Sequence, residues 1–194
     1  DLSLGLEKLK ELEANTSTPF IATNLVDKSG KRPFSPYLEF KVSGVKVAVM
    51  AVLNPKAYAG YKEDTSVKES KILSPAAAIQ SYLPALQYRN DLVILFSDLA
   101  ENENKEIAQT YSGIAGIITH REYGGCSNIA KEERLTSSVG HTQIYSLDPN
   151  GVAVQSITVP ADPKRLGDSV HARHLLDKSV APDRNVEAAV KAEY

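Results

Sequence analysis

The chain has 194 residues, 42% of them hydrophobic and 24% charged, enough for a single domain (1–194) with a real core and ordinary globular values throughout. No run reaches the roughly 18 apolar residues of a membrane span, and a formal charge of −2 from interspersed Lys, Arg, Asp and Glu leaves no basic stripe for nucleic acid. The lone Cys126 excludes an intrachain disulfide and any Cys/His zinc pattern, so cysteine usage does not fix the redox compartment.

From the start, Leu2, Leu6, Leu9 and Leu12 recur at helical spacing in a Lys/Glu-rich stretch that stops at Asn15–Pro19, which predicts an amphipathic helix. Asp1-Leu2-Ser3-Leu4-Gly5 has no initiator Met, basic region or apolar signal core, and is expected to open an excerpt of a larger protein. Phe20–Leu25 reads as a short buried strand. Tyr37–Val42 alternates in period two, turns at Ser43-Gly44 and resumes as Val45–Leu53, the pattern of a hairpin feeding a buried strand.

Residues 54–73 are polar and irregular. Ser74-Pro75 then joins a favoured N-cap to proline at the first helical position, so a helix is expected to about Arg89, kinked or broken at Pro84. Asp91–Phe96, a helix-forming segment from Glu101 to Tyr111, and Ile114–Thr119 make a strand–helix–strand unit, which predicts a parallel sheet. After a loop from Arg121 to Arg134, Thr142–Leu147 and Val152–Val159 flank Asp148-Pro149-Asn150-Gly151, read as a hairpin. A polar tail closes on a helix from Asp183 or Asn185 to Tyr194.

Taken in order, these segments resemble the later half of the 5′-nucleotidase branch of the calcineurin-like metallophosphoesterases over nearly the whole chain. Asp1–Glu7 resembles the helix start that follows that family's GNHE motif, and Pro19–Asn24 its FPVLSAN strand. Gly44–Val49 is similar to GVKIGVIG, DLVILFSD (Asp91–Asp98) to DVVIVLSH, and Gly113–His120 to GIDLIIGGH. The fold implied is α/β and metallophosphoesterase-like: a largely parallel sheet from strands near 20–25, 45–53, 92–97 and 114–119, flanking helices and a C-terminal antiparallel hairpin. The resemblance implies a two-sheet sandwich whose first sheet lacks its early strands here, so a partner chain or an additional domain is expected to cover the open face.

The family works with two divalent cations that activate water and clamp the oxygens of a phosphoryl transfer. Its first-half ligands have no counterpart in this chain. In the second half its LSH histidine falls on Asp98, and in a gap-free alignment its GGHSH histidines fall on Arg121 and Tyr123. Arginine cannot ligate a metal, and tyrosine is a poor substitute for imidazole there. That alignment implies a catalytically inactive domain with a binding or assembly role in a larger exported protein, periplasmic or at the cell surface, without cofactor.

A one-residue deletion instead places His120 and Glu122 on the two positions, so that Asp98, His120 and Glu122 form a trio suited to one metal and to a phosphoester or nucleotide hydrolase completed from outside the segment. A third possibility is a nucleotide-sized pocket without ions. Asp98 also suits a helix cap, and His120 a solvated loop position. His171 and His174 have the i, i+3 spacing of a helical metal pair but no third ligand, which favours a polar exposed segment. Cys126 has no partner histidine implied nearby and reads as an inert thiol.

Overall fold

A computed structural model describes residues 2–57, 70–120, 136–147, 153–160, 162–175, 180 and 184. A 3₁₀ turn over Leu2–Leu4 leads into helix α1 (Leu6–Ala14). Leu2, Leu6 and Leu9 bury one face of this segment against Ala22, Leu25 and Phe34, a small core at the margin of the main sheet. The predicted strand at 20–25 is mostly extended connection: Ile21 makes one isolated bridge with Ser35, and the strand itself, β1, spans Leu25–Asp27. Thr23 and Asn24 make hydrogen bonds to Ala51 and Leu53 and also to Pro36 and Leu73. The Thr23 amide donates to the Ala51 carbonyl and the Ala51 amide to the Thr23 hydroxyl.

Strands β2 (Tyr37–Val42) and β3 (Val45–Val52) form the expected hairpin. Its two turn residues, Ser43 (φ 50°) and Gly44 (φ 91°), both have positive φ, as the tightest hairpin turn requires. Strand β4 (Ser70–Ile72) pairs antiparallel with β1 inside the stretch expected to be irregular. Helix α2 (Pro75–Arg89) starts where Ser74 and Pro75 predict, with the Ser74 hydroxyl accepting from the Ala77 amide at 3.4 Å, and it runs unbroken through Pro84. Strand β5 (Leu92–Ser97), helix α3 (Glu101–Thr110) and strand β6 (Gly116–His120) complete the predicted unit.

Past the undescribed residues 121–135, β7 (Thr136–Val139) and β8 (Thr142–Leu147) follow, then β9 (Ala153–Thr158), a 3₁₀ segment over Pro163–Asp168 and β10 (Val170–Leu175). The main sheet has the order β2-β3-β5-β6-β8-β7. Strands β3, β5, β6 and β8 are mutually parallel, with antiparallel β2 and β7 at the edges. A C-terminal antiparallel hairpin is present, but it joins β9 to β10; β8 pairs with β6 and β7, and not with the segment after Asn150-Gly151. The reason is burial on both sides: Ile144 and Tyr145, adjacent in sequence, are both buried, which is the requirement of an interior parallel strand. The expected C-terminal helix lies outside the described residues.

Both crossovers, β3–α2–β5 and β5–α3–β6, step the same way along the sheet, so right-handed connections put both helices on one face. Ala48, Met50, Val52, Val93, Leu95, Ile117 and Ile144 fill that face against Ile79, Leu83, Leu86, Ile107 and Ala108 of the helices. Among the described residues, the opposite face is covered only in part. Leu166 and Val159 pack on Leu92, Ala115, Val45, Val47 and Ile94 near the strand starts. Toward the strand ends Phe96 remains 44% exposed, and on the edge strand Phe40 and Val42, level with the starts of β3 and β5, are exposed too.

Candidate functional site

Alternation along the strands decides where the polar ends point. On β5, Leu92, Ile94 and Phe96 occupy the open face, and Asp98 continues that series one residue past the strand. On β6, Gly116, Ile118 and His120 do the same. Since the parallel register sets Ser97 beside Thr119, Asp98 and His120 fall level with each other at the carboxyl ends of neighbouring strands. Such strand ends are where open α/β sheets place ligand sites.

His120 Nδ1 lies 3.6 Å from Asp98 Oδ1, an ion-pair separation somewhat longer than a hydrogen bond. The two side chains are 51% and 35% exposed, so both can be reached from the open face. Asp98 does not cap a helix: α3 has Ala100 at its N-cap. Its second oxygen, Oδ2, instead receives the Asn54 amide at 3.4 Å, and its own amide donates to the Val52 carbonyl at 3.0 Å. Asn54, just beyond β3, is not singled out by the sequence; it contributes through its backbone, which carries no side-chain signature.

At the start of α3, Lys56 Nζ meets Glu103 Oε1 at 2.7 Å. That hydrogen bond lowers the Glu103 carboxyl below its ordinary range and raises Lys56, with partial burial opposing it at both groups. The Glu103 carboxylate also receives the Ala100 amide at 3.1 Å, so one side chain closes the first turn of α3 and fixes the loop after β3. A cleft of about 440 Å³ opens between the start of α2 and α3, floored by Leu99 and Ile107 and rimmed by Lys56, Glu103 and Glu106.

The residues predicted from the sequence fare differently. Asp98 and His120 are brought together. Arg121, Glu122, Tyr123 and Cys126 lie outside the described residues, so the third member of the Asp98/His120/Glu122 trio has no described position. His171 and His174 do not form a pair. They lie on β10, where an odd offset directs them to opposite faces of an extended strand. His171 Nε2 sits 2.9 Å from Gln155 Oε1, and its ring stands edge-on to Tyr145 with centroids 6.3 Å apart. Spacing of three is a helical signal, and it has no such meaning in a strand.

Among the described residues no three His, Cys, Asp or Glu side chains converge in a group able to hold a metal ion. Asp98 and His120 are donors of suitable chemistry, and the Asp98 oxygens face an imidazole and an amide. Among the described residues no helix is long and apolar enough to cross a membrane.

No protein-family model and no curated protein matches the chain by sequence. Solved structures match by shape. Sulfate thiohydrolase SoxB of Thermus thermophilus superposes with a TM-score of 0.82 at 19% identity, over 99% of this chain and 34% of that one. A 5′-nucleotidase precursor from Thermus thermophilus gives 0.75 at 15% identity, over 98% and 40%. The calcineurin-like phosphoesterase YfkN of Bacillus subtilis gives 0.73 at 16% identity, over 97% and 65%. The chain thus spans between about a third and two thirds of the length of these structures, and what it shares with them is the fold.

Proposed function

We propose that this chain, whose fold is that of the 5′-nucleotidase-type metallophosphoesterases, is a non-hydrolytic domain that serves binding or assembly within a larger, exported protein at the periplasm or cell surface. One observation carries the reading. The strand end where the resemblance calls for a metal-binding histidine has Asp98, and its carboxylate is engaged by His120 at 3.6 Å and by the Asn54 amide at 3.4 Å. A carboxylate held this way lies at the rim of a sheet face that leaves Phe96 and Phe40 in solvent. A further domain or a partner chain that buries this face would meet the Asp98–His120 pair at its edge. The extracellular placement rests on the family resemblance alone.

A second reading is favoured by the convergence itself. Asp98 and His120 meet at adjacent strand ends, and Glu122 follows two residues later, so a single divalent cation with these three ligands would suit a phosphoester hydrolase completed by other residues.

Metal analysis of the larger protein that contains this chain, combined with its hydrolysis of a generic phosphoester in the presence of manganese, separates the two. The first reading expects substoichiometric metal and no turnover above that of Asp98→Ala. Stoichiometric metal, with turnover that disappears in Asp98→Ala, would overturn it in favour of the second.

A further inference from the structure

Directly behind the Asp98–His120 pair, on the helix side of the sheet, the residues one step earlier on each strand are also polar. Ser97 and Thr119 are both buried, and they form the last rung of the β5–β6 ladder. Both turn toward α3 and meet Asn104, which is fully buried. The Ser97 hydroxyl donates to Asn104 Oδ1 at 2.6 Å. Asn104 Nδ2 donates to Thr119 Oγ1 at 3.2 Å and to the Leu99 carbonyl at 2.9 Å.

The surroundings make this arrangement informative. Leu95, Leu99, Ile107 and Ile117 line the same interface, and an apolar residue with apolar partners would hold it together about as well, since replacing both members of a buried hydrogen bond by apolar groups is nearly neutral. What an apolar contact would not do is fix directions. The Asn104 amide ties the side chains of the final rung to each other, and ties both to the Leu99 carbonyl just past Asp98. The residues whose separation it controls are the next ones along, Asp98 and His120.

We propose that Asn104 is a positioning residue: through Ser97, Thr119 and Leu99 it locks the ends of β5 and β6 and thereby sets the distance and orientation of Asp98 against His120. The inference rests on the reading of that pair as the functional rim of the domain. Asn104 itself touches neither side chain of the pair.

Carbethoxylation of His120 by diethyl pyrocarbonate, followed by mass spectrometry, tests this, with the exposed His141 and His174 as references in the same chain. A carboxylate held against Nδ1 shields one ring nitrogen and restrains the ring, so Asp98→Ala speeds His120 modification severalfold relative to the references. Asn104→Leu reproduces that increase. Thr142→Val, which removes a different buried hydrogen bond to the Ile114 carbonyl, leaves His120 at the wild-type rate although it also weakens the fold. If Asn104→Leu does not fold, Thr119→Val takes its place, removing one arm of the network at nearly constant volume, with the same expectation.

A wild-type His120 rate in both Asn104→Leu and Thr119→Val, alongside a raised rate in Asp98→Ala, overturns the positioning role and leaves the pair standing. An equal rise in Thr142→Val overturns it as well, because general loosening would then explain the effect. An unchanged rate in Asp98→Ala shows that the pair does not form in solution, and the site reading falls together with the inference.

Discussion

Asn24 is fully buried, with both ends of its amide committed to backbone. Its Oδ1 receives the Leu53 amide at 2.8 Å, while Nδ2 donates to the carbonyls of Leu53 and Leu73 at 2.9 and 3.0 Å. One side chain thus joins the end of β3 to the residue after β4, where no ladder runs. Asn24→Ala would leave three partly buried backbone groups of Leu53 and Leu73 without this partner, so a loss of about 1–3 kcal/mol is expected as a lowered denaturant midpoint at unchanged slope. A loss below about 1 kcal/mol would mean that water replaces the amide. The sequence shows an asparagine at the end of an apolar run and nothing of these partners, which lie 29 and 49 positions away. Asp98 and His120 are legible for the opposite reason: each ends a strongly apolar strand, and parallel neighbours with matched ends bring such residues together.

Elements are legible where their signals are local. Ser74-Pro75 sets the start of α2, Ser43-Gly44 sets the β2–β3 turn, and β5 announces itself by apolar residues alone. Partner choice is not local, and the expected pairing of β8 fails on it: the turn chemistry after β8 points toward β9, whereas the burial of both its faces, which makes it an interior strand beside β6, depends on residues far away. Strands β7 and β10 escape a sequence reading because TSSV and VHARHL lack a clean apolar alternation. In α3 the entry turn depends on Glu103, which holds the Ala100 amide and Lys56 at once. Lys56 depresses the folded Glu103 pKa, so the contribution is complete above the unfolded value and lost as pH falls through the folded one. Glu103→Gln should therefore lower Tm slightly at pH 7, as exposed pairs do, and the gap to wild type should close as pH drops below about 4. A gap that persists at low pH would mean that the effect does not come from the Glu103 charge.

For the whole molecule, the governing fact is that two crossovers of the same hand and direction put α2 and α3 on one side of a six-stranded sheet. On the other side, among the described residues, the 3₁₀ segment with Leu166 packs on the strand starts. The sequence points to an uncovered face because its parallel strands are apolar on both sides, whereas the part covered by Leu166 comes from a tail that reads as polar. Phe96 tests which side of that balance matters. It is 44% exposed, so only part of its packing contribution is present in the isolated chain, and Phe96→Ser should change unfolding free energy by about 1–2 kcal/mol, against the roughly 3–5 kcal/mol expected for truncating a core aromatic. The same substitution should reduce binding of a hydrophobic dye to the native chain, since it removes an exposed apolar ring near the strand ends. In the larger protein, where the proposed covering domain or partner buries this face, Phe96→Ser should instead cost several kcal/mol or release the partner, because the cavity and transfer terms then apply in full. Equal small effects in the isolated chain and in the larger protein would mean that the face stays in water, and that assembly proceeds through another surface.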